Sequence, residues 1–341
     1  ANATGCSSIW GGTFPTIPYT KNQAGKGPAW ANSLFEDNAE YGFGMRLAVN
    51  SNRKLLQIYL QKLLEKELTA ELREAFTYAL EHWEEVDQAA KDNAAQIKNL
   101  LTDAISTANG DSKTLLQKVK ELQDYLIDRS IWAIGGDGWA YDIGYGGLDH
   151  VMAANKNVNI FVLDTEVYSN TGGQASKSTP LGAIARFAEA GKNTNKKDLG
   201  MMMMTYGYVY VASIAMGANK VQAIKAILEA EAYPGPSIII AYAPCINHGI
   251  DMSYSQIRQK TAVDAGYWLL YRYNPLNVVQ GKNPLTLDSK EPSLSVKEFL
   301  KSERRYAALK DIAPERSEIL QNEAEEFFKE RYLRYKKLAQ D

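Results

Sequence analysis

Apolar positions follow two rhythms along the chain. Between Lys54 and about Thr107 they recur every three or four residues, with Leu55, Leu56, Tyr59, Leu60, Leu63 and Leu64 set among charges. That is the period of amphipathic helices. Asn109-Gly110-Asp111 interrupts it, and Leu115–Ile127 resumes it. From about Ser130 to Tyr273 short apolar runs take over and predict strands at 131–135, 158–163, 237–243 and 268–272, with a shorter one at 208–213. Helical patterns at about 142–154, 216–231 and 253–265 alternate with these runs, the signature of a parallel sheet. Residues 1–50, rich in Gly, Pro, Asn and aromatics, have no sustained period and read as ordered loops around a site. Asn274–Ser293 reads as a Pro-punctuated linker. Ser295-Val296-Lys297-Glu298 is a capping box, opening helices that end in the amphipathic run Glu323–Leu338. The expected fold is a doubly wound parallel α/β domain over 1–280, with a helical insertion at about 52–127. A linker and helical extension follow at 281–341.

Composition narrows the function classes. The chain has 341 residues, 45% of them hydrophobic, enough for one large or two ordinary domains with a buried core. A net charge of −2 gives no electrostatic case for nucleic acid or an anionic membrane surface as a partner. The longest apolar runs, Val158–Leu163 and Ser237–Ala243, are strand length and too short to cross a bilayer. No charged segment followed by an apolar one opens the chain, so nothing marks it for secretion. A cytoplasmic setting is expected, with an organelle of an anaerobic eukaryote left open. The chain starts without Met and enters a motif at once, which reads as part of something longer. Its two cysteines do not make a disulfide framework.

Candidate chemistry gathers in two clusters. Gly135-Gly136-Asp137-Gly138-Trp139 follows the apolar run at 131–134, and the stretch from Asp164 to Gly173 follows the run at 158–163. Neighbouring parallel strands would bring both clusters to their carboxyl ends, where open α/β sheets bind ligands. Asp137 offers a carboxylate, Thr165 a hydroxyl and Val167 a backbone carbonyl. Such hard oxygen donors suit magnesium, which completes its shell with phosphate oxygens and water. Gly136 and Gly138 let the backbone approach a phosphate. The helix from about Asp142 to Ala154 would aim its N-terminal amides at the anion. The expected task is to hold a divalent cation against a diphosphate. Cys6 lies in a small-residue loop, and Cys245, beside Pro244 at the end of a strand, faces the same edge. The segment from Thr171 to Lys197 is of a length that is usually functional.

These motifs resemble the Gly-Asp-Gly signature of the thiamine diphosphate fold, with Thr165 in a slot most often filled by Asn. The strings Gly-Gly-Asp-Gly-Trp-Ala-Tyr-Asp-Ile-Gly at 135–144 and Thr-Glu-Val-Tyr-Ser-Asn-Thr-Gly-Gly-Gln at 165–174 are similar to one branch, the pyruvate:ferredoxin (flavodoxin) oxidoreductase family. The resemblance extends through Ala3–Trp10, Ser33–Asp37 and Tyr242–Ile246. It implies the C-terminal thiamine diphosphate-binding region of an oxidoreductase of anaerobic metabolism. That enzyme oxidatively decarboxylates pyruvate with coenzyme A to acetyl-CoA and carbon dioxide, passing electrons through iron–sulfur clusters to ferredoxin or flavodoxin.

By the same resemblance, Asp137, Thr165 and Val167 hold Mg2+. Gly136, Gly138, Trp139, Glu166, Val167, Tyr168, Ser169 and Asn170 line the cofactor, and Asn170 also polarises the substrate. Cys6 and Cys245 supply the third and fourth thiolates of a 4Fe-4S cluster, whose first two come from upstream. The implied partners are the N-terminal domains of the same enzyme, a second copy in a homodimer, and the electron acceptor. Two other readings stand beside this one. A non-redox thiamine diphosphate decarboxylase or transketolase is opposed by the two edge cysteines. A fragment without activity of its own follows from the need for a second domain to hold the aminopyrimidine.

Other conspicuous residues take ordinary readings. Met201–Met204 fill a core, and His82 faces solvent from a charged helix. His150 and His248 lie near the α/β edge without metal-ligand spacing. Asp164 and Glu166 flank the ligand cluster, and strand alternation is expected to turn one of them away from the metal.

Overall fold

A computed structural model describes residues 1–5, 20–23 and 25–340, so Cys6 lies outside the described residues. The chain divides into two compact units, one of residues 1–43 and 131–341, the other of residues 44–130.

The smaller unit is helical. It contains the later part of α1 (Asn38–Leu64), then α2 (Ala70–Glu81), α3 (Gln88–Thr107) and α4 (Gly110–Leu122). The leucine stripe explains its core: Leu56, Leu60 and Leu63 are fully buried with Leu72, Phe76, Ile97, Leu101 and Val119. Thr69 and Asp87 cap α2 and α3, their side-chain oxygens accepting from the Leu72 and Ala90 amides. The buried Arg46 guanidinium meets Asp128 at 2.7 Å.

The larger unit is built on a six-stranded sheet in the order β1-β2-β4-β3-β5-β6. Its strands are β1 (Trp132–Gly136), β2 (Asn159–Asp164), β3 (Tyr210–Ile214), β4 (Ser237–Tyr242), β5 (Tyr271–Tyr273) and β6 (Leu285–Leu287). The first four run parallel, as their alternation with helices requires. β5 and β6 extend the sheet antiparallel. β5 lies three residues later than the apolar run suggested, because the Trp268 amide bonds the Ala262 carbonyl and the Leu270 amide bonds the Ser289 hydroxyl. β6 falls inside the segment that reads as a linker. The backbone of Ala1–Ala3 runs alongside β1, with the Ala3 amide donating to the Ile134 carbonyl at 2.8 Å.

Both faces of the sheet are covered, and every residue of β4 is buried. Ile239 and Ala241 face α7 (Lys220–Ala232), packing with Ala223, Ala226 and Ala230. Ile238 and Ile240 point into the larger core on the other face, with Val151 and Met152 of α5 (Tyr145–Ala153) and Met203 of α6 (Leu199–Met204). α8 (Ser255–Asp264) and α9 (Leu276–Val279) follow, then three C-terminal helices, α10 (Val296–Lys301), α11 (Arg304–Ile312) and α12 (Pro314–Leu338). Phe299, Tyr306, Leu320, Phe328 and Tyr335 carry these last helices into the same core. Ser295 caps α10, its hydroxyl accepting from the Glu298 amide.

Candidate functional site

The parallel pairing of β1 with β2 sets Gly136 opposite Leu163. Asp137 and Thr165 therefore leave adjacent strands side by side at their carboxyl ends. The Thr165 hydroxyl lies 2.7 Å from Asp137 Oδ1 and 3.0 Å from the Val167 carbonyl oxygen, and the Thr165 amide reaches the same Oδ1 at 3.2 Å. Neighbouring ligand oxygens around octahedral magnesium stand about 2.9 Å apart, given metal–oxygen distances of about 2.0–2.1 Å. The two distances from the Thr165 hydroxyl lie close to that edge. They open onto a cavity of about 200 Å3 that Thr4, Gly5, Tyr168, Ser169, Asn170 and Ala243 also line.

Asp137 is only 1% exposed and, among the described residues, makes no salt bridge. Its second oxygen accepts from the hydroxyls of Ser176 at 2.8 Å and Ser178 at 3.2 Å. Burial, reinforced by the nearby Asp164, pushes its carboxyl up to about 7, with hydrogen bonds from Thr165 and Ser176 and the charge of Lys196 working the other way. Both serines come from the long 171–197 segment. Nothing in their own sequence context distinguishes them, and segment length was the only signal.

A second cluster of buried charge lies behind the rim. Lys196 bridges Asp164 at 2.7 Å and Glu166 at 3.0 Å. Arg305 pairs with Glu166 at 2.7 Å and with Glu303 at 2.8 Å. Tyr267 donates to Glu166 and Tyr141 to Asp164. Burial alone would raise the Glu166 carboxyl, but Lys196, Arg305 and the Tyr267 hydroxyl outweigh it and bring it down to about 2. His248 is fully buried, its Nε2 is 2.8 Å from the Thr165 carbonyl oxygen, and burial takes its imidazole down to about 3, so the ring is neutral.

The structure corrects several of the residue readings. Asp164 and Glu166 both turn away from the rim. Residues two apart share a face of a strand, so alternation could never have separated them, and Glu166 has left-handed backbone with φ 60°. Its carboxylate is engaged in the rear cluster and does not line the cavity. Trp139 also stays out of the cavity. It is fully buried, and a Cβ at Gly135 or Gly144 would collide with its ring. The glycines flanking the motif thus make room for an indole. At Gly138 the space of the missing side chain is occupied by the Tyr168 ring, whereas Gly136 stands clear. Gly136, Asp137, Gly138, Thr165, Val167, Tyr168, Ser169 and Asn170 all line the cavity. The helix expected from Asp142 begins earlier, as a π-helical turn over Gly138–Ile143 that leads into α5. Its first amides therefore follow Asp137 directly. Cys245 is a free thiol just beyond β4, and the Asn247 side chain donates to the Ser169 carbonyl at 3.3 Å. Among the described residues no three His, Cys, Asp or Glu side chains group as a metal site. No helix among them is long and apolar enough to cross a membrane.

The family described as thiamine pyrophosphate enzyme, C-terminal TPP binding domain, matches residues 96–241, so the chain carries a thiamine pyrophosphate-binding domain. A pyruvate:ferredoxin oxidoreductase of Moorella thermoacetica (strain ATCC 39073 / JCM 9320) is 58% identical over 100% of this chain and 29% of its own length. A pyruvate-flavodoxin oxidoreductase of Klebsiella pneumoniae is 51% identical over 99% of this chain and 29% of its own length. Along its whole length the chain is similar to these pyruvate:ferredoxin and pyruvate-flavodoxin oxidoreductases, and it spans less than a third of their length. A solved 2-oxoglutarate:ferredoxin oxidoreductase from Magnetococcus marinus is 27% identical over 34% of this chain and 40% of its own, with a TM-score of 0.32, too loose a likeness to carry an argument.

Proposed function

We propose that this chain supplies the diphosphate- and magnesium-binding wall of a thiamine diphosphate site. The enzyme would oxidatively decarboxylate pyruvate with coenzyme A, giving acetyl-CoA, carbon dioxide and two electrons for ferredoxin or flavodoxin. The observation that carries this reading is the convergence of Asp137, Thr165 and Val167 oxygens at 2.7 and 3.0 Å on one cavity. Asp137 offers the cation its charge, and Thr165 and Val167 offer neutral oxygens. Gly136 and the first amides of the π-helical turn face a diphosphate, while Tyr168, Ser169 and Asn170 close the cavity wall. When bound, thiamine diphosphate supplies an electron sink at the carbon that bears the carboxylate to be lost. Asn170, which lies beside Gly5, would orient a substrate carbonyl.

The cavity is smaller than the roughly 300–1,000 Å3 of sites that enclose a whole cofactor. Asp137, assigned to the cation, is the only carboxylate among its described lining residues. The base that activates the aminopyrimidine is therefore assigned to other domains of a longer polypeptide. On this reading the 341-residue chain alone has no 2-oxoacid oxidation activity. Residues 1–43 and 131–341 would form the cofactor domain, with the helical unit of residues 44–130 as an accessory part. The assembled enzyme would be a cytoplasmic homodimer.

Titrating thiamine diphosphate in the presence of Mg2+ tests the assignment. Asp137→Ala should abolish magnesium-dependent binding, and unchanged affinity by calorimetry would overturn it. By the family resemblance, Cys6 and Cys245 would supply two of the four thiolates of a 4Fe-4S cluster. Electron paramagnetic resonance of the reduced, longer enzyme should show one cluster signal fewer in Cys245→Ser, because a hydroxyl is a poor ligand for that iron. Survival of every cluster signal would make Cys245 a structural thiol.

A further inference from the structure

Thr165 is held from two directions. Its hydroxyl and amide reach Asp137 at the rim, while its carbonyl lies 2.8 Å from His248 Nε2, in a residue that does not line the cavity. A carbonyl only accepts, so Nε2 must carry the hydrogen of this bond. His248 itself is held by packing. It closes the 3-10 turn Ile246–His248 beyond β4, is fully buried, and stacks on Tyr242 with ring centroids 6.3 Å apart and planes inclined by 20°. Its Nδ1 is 4.0 Å from Glu303 at the start of α11. The next residue after Thr165 makes this grip consequential. Glu166 has φ 60°, a region that non-glycine residues occupy only when their surroundings enforce it. Its carboxylate is fixed by Lys196 and Arg305, and its carbonyl accepts from the Thr179 hydroxyl at 2.6 Å. Successive carbonyls at 165 and 166 are thus pinned from behind, and those pins set where the Thr165 hydroxyl and the Val167 carbonyl point.

We infer that His248 is a positioning residue for the cation site, holding the Thr165 carbonyl so that the Thr165 hydroxyl and the Val167 carbonyl stand at ligand spacing beside Asp137. This rests on the reading of Asp137, Thr165 and Val167 as the magnesium set. His248 touches neither the cation nor the cofactor, and its effect passes through one peptide group.

The test uses the whole 341-residue chain, with Mn2+ as the spectroscopic probe and thiamine diphosphate present. Loss of an outer partner of a metal ligand typically weakens metal binding by about ten- to a hundred-fold. His248→Leu, similar in size but without a donor, should show that loss in Mn2+ titrations followed by electron paramagnetic resonance. His248→Gln, whose amide can donate from a similar place, should recover most of it. Equal Mn2+ affinity in His248→Leu and the parent chain overturns the inference, and so does an equal loss in both variants. If the parent chain binds no Mn2+, the magnesium reading of the rim falls first and the positioning role falls with it. Should His248→Leu fail to fold, the parent chain still decides. It has three histidines, so nitrogen-15 histidine labelling can resolve the His248 ring. An Nε2–H protected from exchange, shifting when Mg2+ and thiamine diphosphate are added, is the expected signature. An Nδ1–H tautomer, or a ring signal indifferent to the cation, overturns the inference.

Discussion

Asp137 and Glu166 are both buried carboxylates at the carboxyl edge of neighbouring parallel strands, yet their burial is answered in different ways. Glu166 meets Lys196, Arg305 and Tyr267 and is held ionised, down to about 2. Asp137 meets hydroxyls and one amide but no cation, and burial pushes it up to about 7. The protein can neutralise a buried carboxylate and does so at the rear of the loop. At the front it does not, and the carboxylate faces a cavity. The proposed cation site accounts for this asymmetry: one charge is left unbalanced for a cation from outside while its neighbour is balanced from within.

The largest effect should come from breaking the balanced side. Arg305→Ala strips Glu166 and Glu303 of a buried partner, and loss of one member of such a pair typically costs about 3–5 kcal/mol. Urea unfolding at pH 7 measures it, and a loss below about 1 kcal/mol would mean that the rear cluster is not what holds the loop.

The unbalanced side should respond with the opposite sign. A carboxyl raised from 3.8 to about 7 carries an ionisation penalty of about 4 kcal/mol at pH 8. Asp137→Asn removes that penalty and forfeits one or two hydrogen bonds worth about 1 kcal/mol each. The metal-free variant should therefore be more stable than the parent by about 2 kcal/mol at pH 8 while losing magnesium binding. The pH dependence follows from the same shift. Between about pH 4 and pH 7 the folded chain holds a proton on Asp137 that the unfolded chain has released, so Asp137 makes stability fall as pH rises through that window. Glu166, lowered from 4.5 to about 2, contributes stability at higher pH that is lost on acidification through about 4.5 to 2. Denaturant midpoints across pH 2–8 should lose the first slope in Asp137→Asn and keep the second. Parallel curves would break the comparison.

The smallest effect concerns tuning. Because the cation must displace the Asp137 proton, Mg2+ affinity should fall by about ten-fold for each pH unit below about 7. Ser176→Ala removes a hydrogen bond that favours the ionised carboxylate. It should move the onset of binding to higher pH, with a loss of about 1 kcal/mol in affinity at pH 7. Calorimetry at pH 6, 7 and 8 checks both, and an onset that does not move would remove Ser176 from the site's electrostatics.

What could be read beforehand divides along the same line. The front of the loop is local in sequence: Asp137 ends one apolar run, Thr165 and Val167 end the next, and parallel pairing follows from the helix between them. The rear cluster is assembled from distant places. Glu166 finds Arg305 139 residues away and Tyr267 101 residues away, and Thr165 finds His248 83 residues away. No periodicity encodes such partners, so His248 read as an incidental histidine and Arg305 drew no notice. Trp139 and Gly138 show a subtler limit. Their motif was legible, but the indole burial and tyrosine packing that it also serves depend on rotamers seen only in three dimensions.

The oxygen spacing at the rim has a consequence for which ions can enter. Calcium, with oxygens at about 2.3–2.6 Å, wants neighbouring ligands about 3.3–3.7 Å apart at right angles. The Thr165 hydroxyl would have to withdraw from both Asp137 and Val167 to accommodate it, starting from 2.7 and 3.0 Å. That withdrawal works against a loop pinned from behind by a lysine, an arginine and a histidine. On the proposed magnesium reading, the rim is a gauge cut to a small ion. Calcium would have to deform the protein where magnesium or manganese would only replace a hydrogen.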